Sequence, residues 1–144
     1  SNMDKKKDLA EKLRSSGLRP TKQRLRLAEY LFNRSKTFHF TVENLDKVIN
    51  KKSSDEKVAL ATIYNTVHAF EKAGHLKEIL LKEGRSYFDT NISSHHHFYD
   101  EENNELIDIE ANNIELKKFP TTPKGKSIKN VNVIINIDND TQNH

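Results

Sequence analysis

Apolar residues in the first half of the chain recur at the spacing of amphipathic helices. Thr21 and Thr41 are suitable N-caps for two of these helices, and Gly17 and Gly74 are suitable stops for two. The pattern therefore predicts four helices, which lie at 8–16, after Thr21, after Thr41 and at 59–73. The polar stretch 51–57 is predicted to be a turn.

The periodicity changes after Gly74. Residues 76–82 and 85–89 predict two strands joined around Glu83-Gly84. Helices followed by a two-stranded ribbon form a winged helix-turn-helix, in which the helix before the ribbon enters the major groove of DNA. Residues 1–90 are therefore predicted to be a winged-helix DNA-binding domain. Ser1 and Asn2, ahead of Met3, have the composition of an expression-tag remnant.

Residues 91–144 follow a different pattern. His96–Asp100 and Glu105–Ile109 predict strands around an Asn-Asn turn, 111–118 a short helix, and 131–137 a strand with one apolar face. A unit of this size buries little core alone, so we expect it to pack against a second copy of the chain. The predicted fold class is α+β, with an N-terminal winged helix-turn-helix domain followed by a small α/β dimerisation domain.

Composition narrows the chemistry. The chain has no cysteine, which excludes disulfides, thiolate zinc sites and a cysteine nucleophile. Lys and Arg concentrate between residues 5 and 34, whereas 100–115 is acidic, although the net charge is only +3. This asymmetry favours a nucleic-acid face and a separate second function. No apolar run is long enough to cross a bilayer, so we expect a cytoplasmic protein without a membrane partner.

The helix at 59–73 is the predicted DNA reader. Asn65 can pair with adenine, a threonine can contact a thymine methyl group or a phosphate, and Tyr64 can reach the DNA backbone. Phosphate neutralisation by basic residues outside this helix would supply the affinity. An ordinary solvated helix face remains the alternative. The candidate DNA contacts are Arg19, Lys22, Arg24, Thr62, Tyr64, Asn65, Thr66, His68, Lys82 and Arg85.

Three consecutive histidines stand between two aspartates, Asp89 and Asp108. On a strand, His95 and His97 point to one side and His96 to the other. Imidazole and carboxylate ligands suit zinc, iron and manganese. An exposed polar tract is the alternative to a metal site. Metal-assisted hydrolysis is a remote possibility, because no residue nearby is nominated as a catalytic base.

Four segments in this order and spacing resemble the ferric uptake regulator (Fur) family: GLRPTKQRLRLAEYL, FTVENL, ATIYNTVHAFEKAGHL and YFDTNISSHHHFYDEENNELIDI. The resemblance runs from about Leu9 to Ile137, and it is greatest to the iron response regulators (Irr) of alphaproteobacteria. It implies a regulatory divalent metal (manganese, iron or zinc) whose ligands fall on His39, Asp89, His95, His97 and Asp108.

The resemblance also implies a second metal site in some relatives, which would use His96 and Glu115 here but has no matching third histidine. Many relatives hold a structural zinc through Cys-x-x-Cys pairs. The first pair would fall at Asp100 and Asn103, so we expect no structural zinc.

The Irr branch links the triplet His95-His96-His97 to haem, although the Cys-Pro haem motif of some members is absent here. The implied protein is no enzyme but a homodimeric regulator of iron and haem genes. It would bind A/T-rich palindromic operators, with Arg19 reaching into a minor groove and Asn65 standing where arginine is frequent. The alternative within the family is a repressor that responds to manganese or iron(II) without sensing haem.

Overall fold

A computed structural model describes residues 1–51 and 56–141. The chain divides into two compact units, Ser1–Ile92 and Ser93–His144. Within the described ranges, no helix has the length and apolar character that a membrane crossing requires.

The described part of the first unit consists mostly of four helices: α1 (Asn2–Ser15), α2 (Lys22–Phe32), α3 (Val42–Ile49) and α4 (Leu60–Lys72). The predicted caps are confirmed, since the hydroxyl oxygens of Thr21 and Thr41 accept hydrogen bonds from Arg24 N and Asn44 N. Helix α1 begins earlier than predicted. Residues 52–55 of the predicted turn lie outside the described ranges.

The helices of the first unit enclose one apolar cluster. Its members come from all four helices and from the adjoining strands, which explains why the helical periodicity was readable in the sequence. The most deeply buried members are Leu13, Leu27, Ala28, Leu31, Leu45, Ile63, Val67 and Phe70.

A small antiparallel sheet completes the first unit. Strands β2 (Lys77–Leu80) and β3 (Ser86–Asp89) form the predicted wing, and β1 (His39–Phe40) adds an edge that the sequence did not predict. The strand order is β1-β3-β2. Glu83 (φ 64°) and Gly84 (φ 73°) both have positive φ in the loop between β2 and β3. Glycine is suited to this conformation, whereas Glu83 adopts it with some strain.

The second unit contains a three-stranded sheet in the order β5-β4-β6. Strands β4 (His96–Asp100) and β5 (Glu105–Ile109) have the predicted bounds and pair antiparallel. Strand β6 (Ile134–Ile137), shorter than predicted, pairs parallel to β4.

The prediction of a helix at 111–118 is wrong. Only Ala111–Asn113 forms a single 3-10 turn, and Ile114 is extended, with φ −130° and ψ 122°. Glu110, at the N-cap position, makes no side-chain capping bond. An uncapped helix of eight residues needs packing to persist, and most side chains here are exposed. The overall class, an α+β fold with a helical N-terminal domain and a small second domain, agrees with the prediction.

Candidate metal centre and nucleic-acid interface

The pairing of β4 with β5 brings a histidine and a carboxylate onto the same face of the sheet in the second unit. His97 lies directly opposite Asp108 in the antiparallel register. Side chains at such paired positions are cross-strand neighbours. His95 precedes β4 by one residue and shares the face of His97, as strand alternation predicts.

The three side chains converge. Asp108 Oδ1 lies 3.4 Å from His95 Nε2 and 3.1 Å from His97 Nε2. The two imidazole rings are 4.5 Å apart between centroids. His97 is 1% exposed, whereas the Asp108 side chain is 55% exposed. The cluster therefore has buried nitrogen donors and one carboxylate open to solvent.

A backbone contact sets the protonation pattern of His95. Its Nδ1 lies 2.8 Å from the carbonyl oxygen of Ser93. A carbonyl only accepts, so Nδ1 carries the hydrogen, and in the neutral ring Nε2 presents a lone pair toward Asp108. Metal-bound histidines are held in this way, with one nitrogen donating to a carbonyl and the other directed at the ion. The donor set can hold a divalent cation.

His96 occupies a different environment. Its Nδ1 accepts a hydrogen bond of 3.0 Å from the backbone N–H of Val133. In the neutral ring the hydrogen is therefore on Nε2, and neither nitrogen offers a lone pair to a metal in this arrangement. His96 also lines a groove of about 410 Å³ with Ser94, Leu116, Phe119, Ile128 and Val131.

Two further predicted ligands belong to the first unit. His39 on β1 lies opposite Asp89 on β3 in the antiparallel register. Asp89 is buried and accepts a hydrogen bond of 2.8 Å from Asn91 N. The sheet thus places this histidine and this carboxylate side by side, although they are 50 positions apart in the chain.

The predicted second site receives no support. Among the described residues, no group of three or more potential metal ligands includes His96 or Glu115. At the positions where relatives have the first cysteine pair, the Asp100 carboxylate instead accepts hydrogen bonds from the Asn103 side chain at 2.8 Å and from two backbone N–H groups. The Asn103 side-chain bond chiefly lowers the pKa of Asp100 below its ordinary value.

Helix α4 exposes three of its five predicted DNA contacts to solvent. Tyr64, Asn65 and His68 are exposed and Thr62 is half-buried. The prediction that Thr66 contacts DNA has to be corrected. Thr66 is fully buried, and its hydroxyl donates to the Thr62 carbonyl oxygen at 2.6 Å. A threonine that satisfies its hydroxyl within its own helix cannot contact a base from the core.

The predicted phosphate contacts are arranged around the start of α2. Arg19, Lys22 and Arg24 line an open depression together with Thr62. The guanidinium of Arg24 donates to the Arg19 carbonyl oxygen at 3.1 Å, which ties the two positions together. Lys82 and Arg85 are exposed in the wing. The first unit therefore has basic side chains beside Thr62 near the start of α4, and Arg85 lines a pocket with Tyr64 and His68 further along it.

Sequence reasoning missed one residue of this surface. The hydroxyl of Tyr64 donates to Glu43 Oε1 at 3.1 Å. Glu43 lies in the first turn of α3 and is not among the predicted DNA contacts. No local signal links the two residues, because 21 positions separate them and only the packing of α3 against α4 brings them together.

Comparison with known proteins agrees with this arrangement. The model of the ferric uptake regulator family matches residues 15–136. The chain is 31% identical to the peroxide operon regulator of Bacillus subtilis over 103 residues, which are 72% of this chain and 68% of that protein. The chain spans 62% to 64% of the length of peroxide-responsive repressors from staphylococci.

Two solved structures share the fold. The ferric uptake regulator of Pseudomonas aeruginosa with manganese superposes with a TM-score of 0.63 at 22% identity, covering 90% of this chain and 96% of that one. The ferric uptake regulator of Vibrio cholerae, whose DNA-binding domains rearrange, gives 0.61 at 20% identity, covering 88% of this chain and 95% of that one.

Proposed function

Because the chain belongs to the ferric uptake regulator family, we propose that it is a transcription regulator whose binding to operator DNA is controlled by a divalent metal. The main support for a metal site is the orientation of His95, whose Nδ1 donates to Ser93 O while Nε2 faces Asp108. Two histidine nitrogens converge on one carboxylate oxygen, and a bound cation would stabilise this cluster.

His95, His97 and Asp108 would hold the metal in the second unit. When bound, the ion supplies positive charge and fixed coordination geometry. Nitrogen and oxygen donors of this kind accept manganese, iron(II) and zinc, and the carboxylate shifts the preference toward manganese and iron. The sequence of the first unit adds His39 and Asp89, which are cross-strand neighbours there.

A ligand set drawn from both units would let the metal bias a two-state element. Asp89 precedes His95 by only six positions, so the chain itself keeps the two ligands within about 20 Å. Metal binding would then favour the conformation that is competent to bind DNA, by as much as its affinity differs between the two states.

The regulator would act as a homodimer on A/T-rich palindromic DNA in the cytoplasm. A two-fold symmetric protein reads two half-sites, and arginine is attracted to narrow A/T-rich minor grooves. The exposed side chains of α4 would contact bases, and the basic residues of α2 and the wing would contact phosphates. An enzymatic role receives no support from the regulators that the chain resembles.

Haem control, as in the Irr branch, is the second candidate. The apolar groove beside His96 favours it, because porphyrin binding requires apolar surface close to an imidazole. The hydrogen bond from Val133 N to His96 Nδ1 opposes it, because the iron would need a lone pair that this arrangement does not offer. Metal control therefore depends on His95 and His97, whereas haem control would depend on His96.

Fluorescence anisotropy of labelled operator DNA separates the two candidates. The protein is loaded with manganese, bound to the DNA, and then either titrated with haem or treated with a chelator. His97→Ala and His96→Ala serve as a matched pair, since the residues are adjacent and differ in the face that they occupy.

Release by the chelator, with binding abolished by His97→Ala and unaffected by haem, supports metal control. Release by haem that His96→Ala prevents supports haem control. Binding to DNA that ignores metal, chelator and haem alike would contradict both forms of the proposal.

A further inference from the structure

The α4 surface contains a hydrogen bond that changes what a DNA-reading side chain can recognise. Tyr64 donates its hydroxyl hydrogen to Glu43 Oε1 at 3.1 Å. Both residues are exposed on the surface of the first unit. The carboxylate of Glu43 only accepts hydrogen bonds when ionised, so the direction of this bond is fixed.

The ring of Tyr64 is held on its other side as well. It stacks on His68, one turn further along α4, with centroids 6.0 Å apart and planes 12° from parallel. His68 in turn makes a T-shaped contact with the buried ring of Phe88, with centroids 5.7 Å apart. Stacking and the hydrogen bond together restrict the rotation of the phenol, which keeps the hydroxyl oriented before any DNA arrives.

Glu43 lies in the first turn of α3, two residues after the N-cap Thr41, where the helix dipole favours a negative charge. The hydrogen bond to this carboxylate, followed by its Coulomb repulsion, raises the pKa of Tyr64 above its ordinary value. The phenol therefore keeps its single hydrogen, and that hydrogen points to Glu43.

We propose that Glu43 is a positioning residue that makes Tyr64 an acceptor-only reader of the major groove, selective for the amino group of adenine or cytosine. A phenol oxygen whose hydrogen is committed has only lone pairs to offer. In the major groove, adenine N6 and cytosine N4 are the donors, whereas guanine N7 and O6 and thymine O4 are acceptors. The inference rests on the proposed DNA-binding function and specifies part of its sequence preference.

The same geometry disfavours the contact with the DNA backbone that the sequence suggested for Tyr64. A phosphate offers acceptors only, and the Glu43 carboxylate adjacent to the hydroxyl would repel it. Glu43 consequently disfavours binding registers in which a phosphate, or a base edge that only accepts hydrogen bonds, lies next to Tyr64. Such a penalty contributes specificity rather than affinity.

The test uses the manganese-loaded full-length protein and an operator selected from a randomised DNA pool. In successive duplexes, each adenine is replaced by purine, and each cytosine by 2-pyrimidinone, so that one exocyclic amino group is removed at a time. At the position read by Tyr64, the substitution should weaken binding by about three- to tenfold, the effect of one hydrogen bond. Tyr64→Phe should weaken binding to the unmodified operator similarly and should be insensitive to the same base substitution.

The Glu43 variants separate geometry from charge. Glu43→Gln retains a carbonyl that accepts from the phenol, so it should keep the base discrimination while binding random DNA more tightly. Glu43→Ala leaves the Tyr64 hydroxyl able to donate to DNA. This variant should therefore bind random DNA more tightly and also lose the base discrimination. Glu29→Ala, which removes an exposed carboxylate from α2, is the control and should keep the discrimination.

The inference is overturned if no single amino group matters in a Tyr64-dependent way, or if Glu43→Ala discriminates as well as the wild type. These outcomes leave the proposed function intact, because the protein still prefers its operator to random DNA. A wild-type protein that shows no such preference in any metal state overturns the proposed function itself, and this inference with it.

Discussion

The two units reach stability in different ways. In the first, side chains from four helices and a small sheet bury a continuous apolar cluster. Among residues 93–141 of the second, the buried apolar residues are Tyr99, Leu106 and Ile109, and two histidines are buried with them. The first unit therefore has a self-sufficient core, whereas the second combines a small core with polar groups and exposed apolar surface.

The exposed apolar surface of the second unit is organised. Phe98 on β4 lies opposite Ile107 on β5 and opposite Ile135 on β6, so the three side chains form a row across one face of the sheet. His97 and Asp108 lie on the other face. Since Ile107 and Ile135 are both more than a third exposed, a unit built this way is expected to cover the row with a second copy, as the proposed homodimer requires.

The largest expected effect is on the core of the first unit. Phe70 is fully buried and packs edge-on against Phe32 at 5.1 Å. Phe70→Ala should reduce the free energy of unfolding by about 3–5 kcal/mol, measured by urea denaturation followed by circular dichroism. The control is Phe119→Ala in the second unit, where the side chain is 51% exposed, and the expected change is within about 0.5 kcal/mol. Equal losses would contradict the contrast between the units.

The second effect concerns the polar cluster of the second unit. His97→Ala should weaken manganese binding by more than about a hundredfold, because changes to residues that merely support ligands already cost about 10–100-fold. Calorimetric titration measures this directly, with His96→Ala as the unaffected neighbour. His39→Ala should also weaken binding if the first unit contributes its ligands. Unchanged affinity in His39→Ala would confine the site to the second unit.

The third effect tests the apolar row. Ile135→Asp places a charge within it and should raise the dimer dissociation constant by about tenfold or more, measured by analytical ultracentrifugation. Asn136→Asp introduces the same charge on the opposite face of β6 and serves as the control. Should both variants dimerise like the wild type, some other surface forms the dimer.

The smallest effect concerns the turn between β4 and β5. The pKa of Asp100 is lowered, chiefly by the Asn103 side chain, so the folded state favours the ionised carboxylate. Its contribution to stability is present above the pKa of the unfolded chain, about 4, and is lost as the pH falls through the lower pKa of the folded state. Asp100→Asn should therefore flatten the acid limb of a thermal-stability profile below about pH 4. A profile identical to that of the wild type would mean that the turn does not depend on this charge.

Local signals accounted for the parts of the fold that local chemistry controls. Thr21 and Thr41 are N-caps, and β4 and β5 have the predicted bounds because alternation and a turn define them. The prediction of a helix at 111–118 was wrong because this short, uncapped segment lacks the packing that would stabilise a helix. Thr66 was assigned to the outer face of α4, although the rotation of that helix places it in the core. Helical periodicity gives the spacing of a face, whereas neighbouring elements decide which residues at its margin are covered.

The sequence by itself determined the family, the secondary structure of most elements and the residue types available to bind a metal, because these depend on residue type and on spacing along the chain. Tertiary structure decided which side chains meet and which hydrogen each one keeps. The register of β4 with β5 sets Asp108 opposite His97, and the packing of α3 against α4 commits the Tyr64 hydroxyl to Glu43. Such pairings depend on distances of a few ångströms between residues far apart in the chain, and local periodicity does not encode those distances.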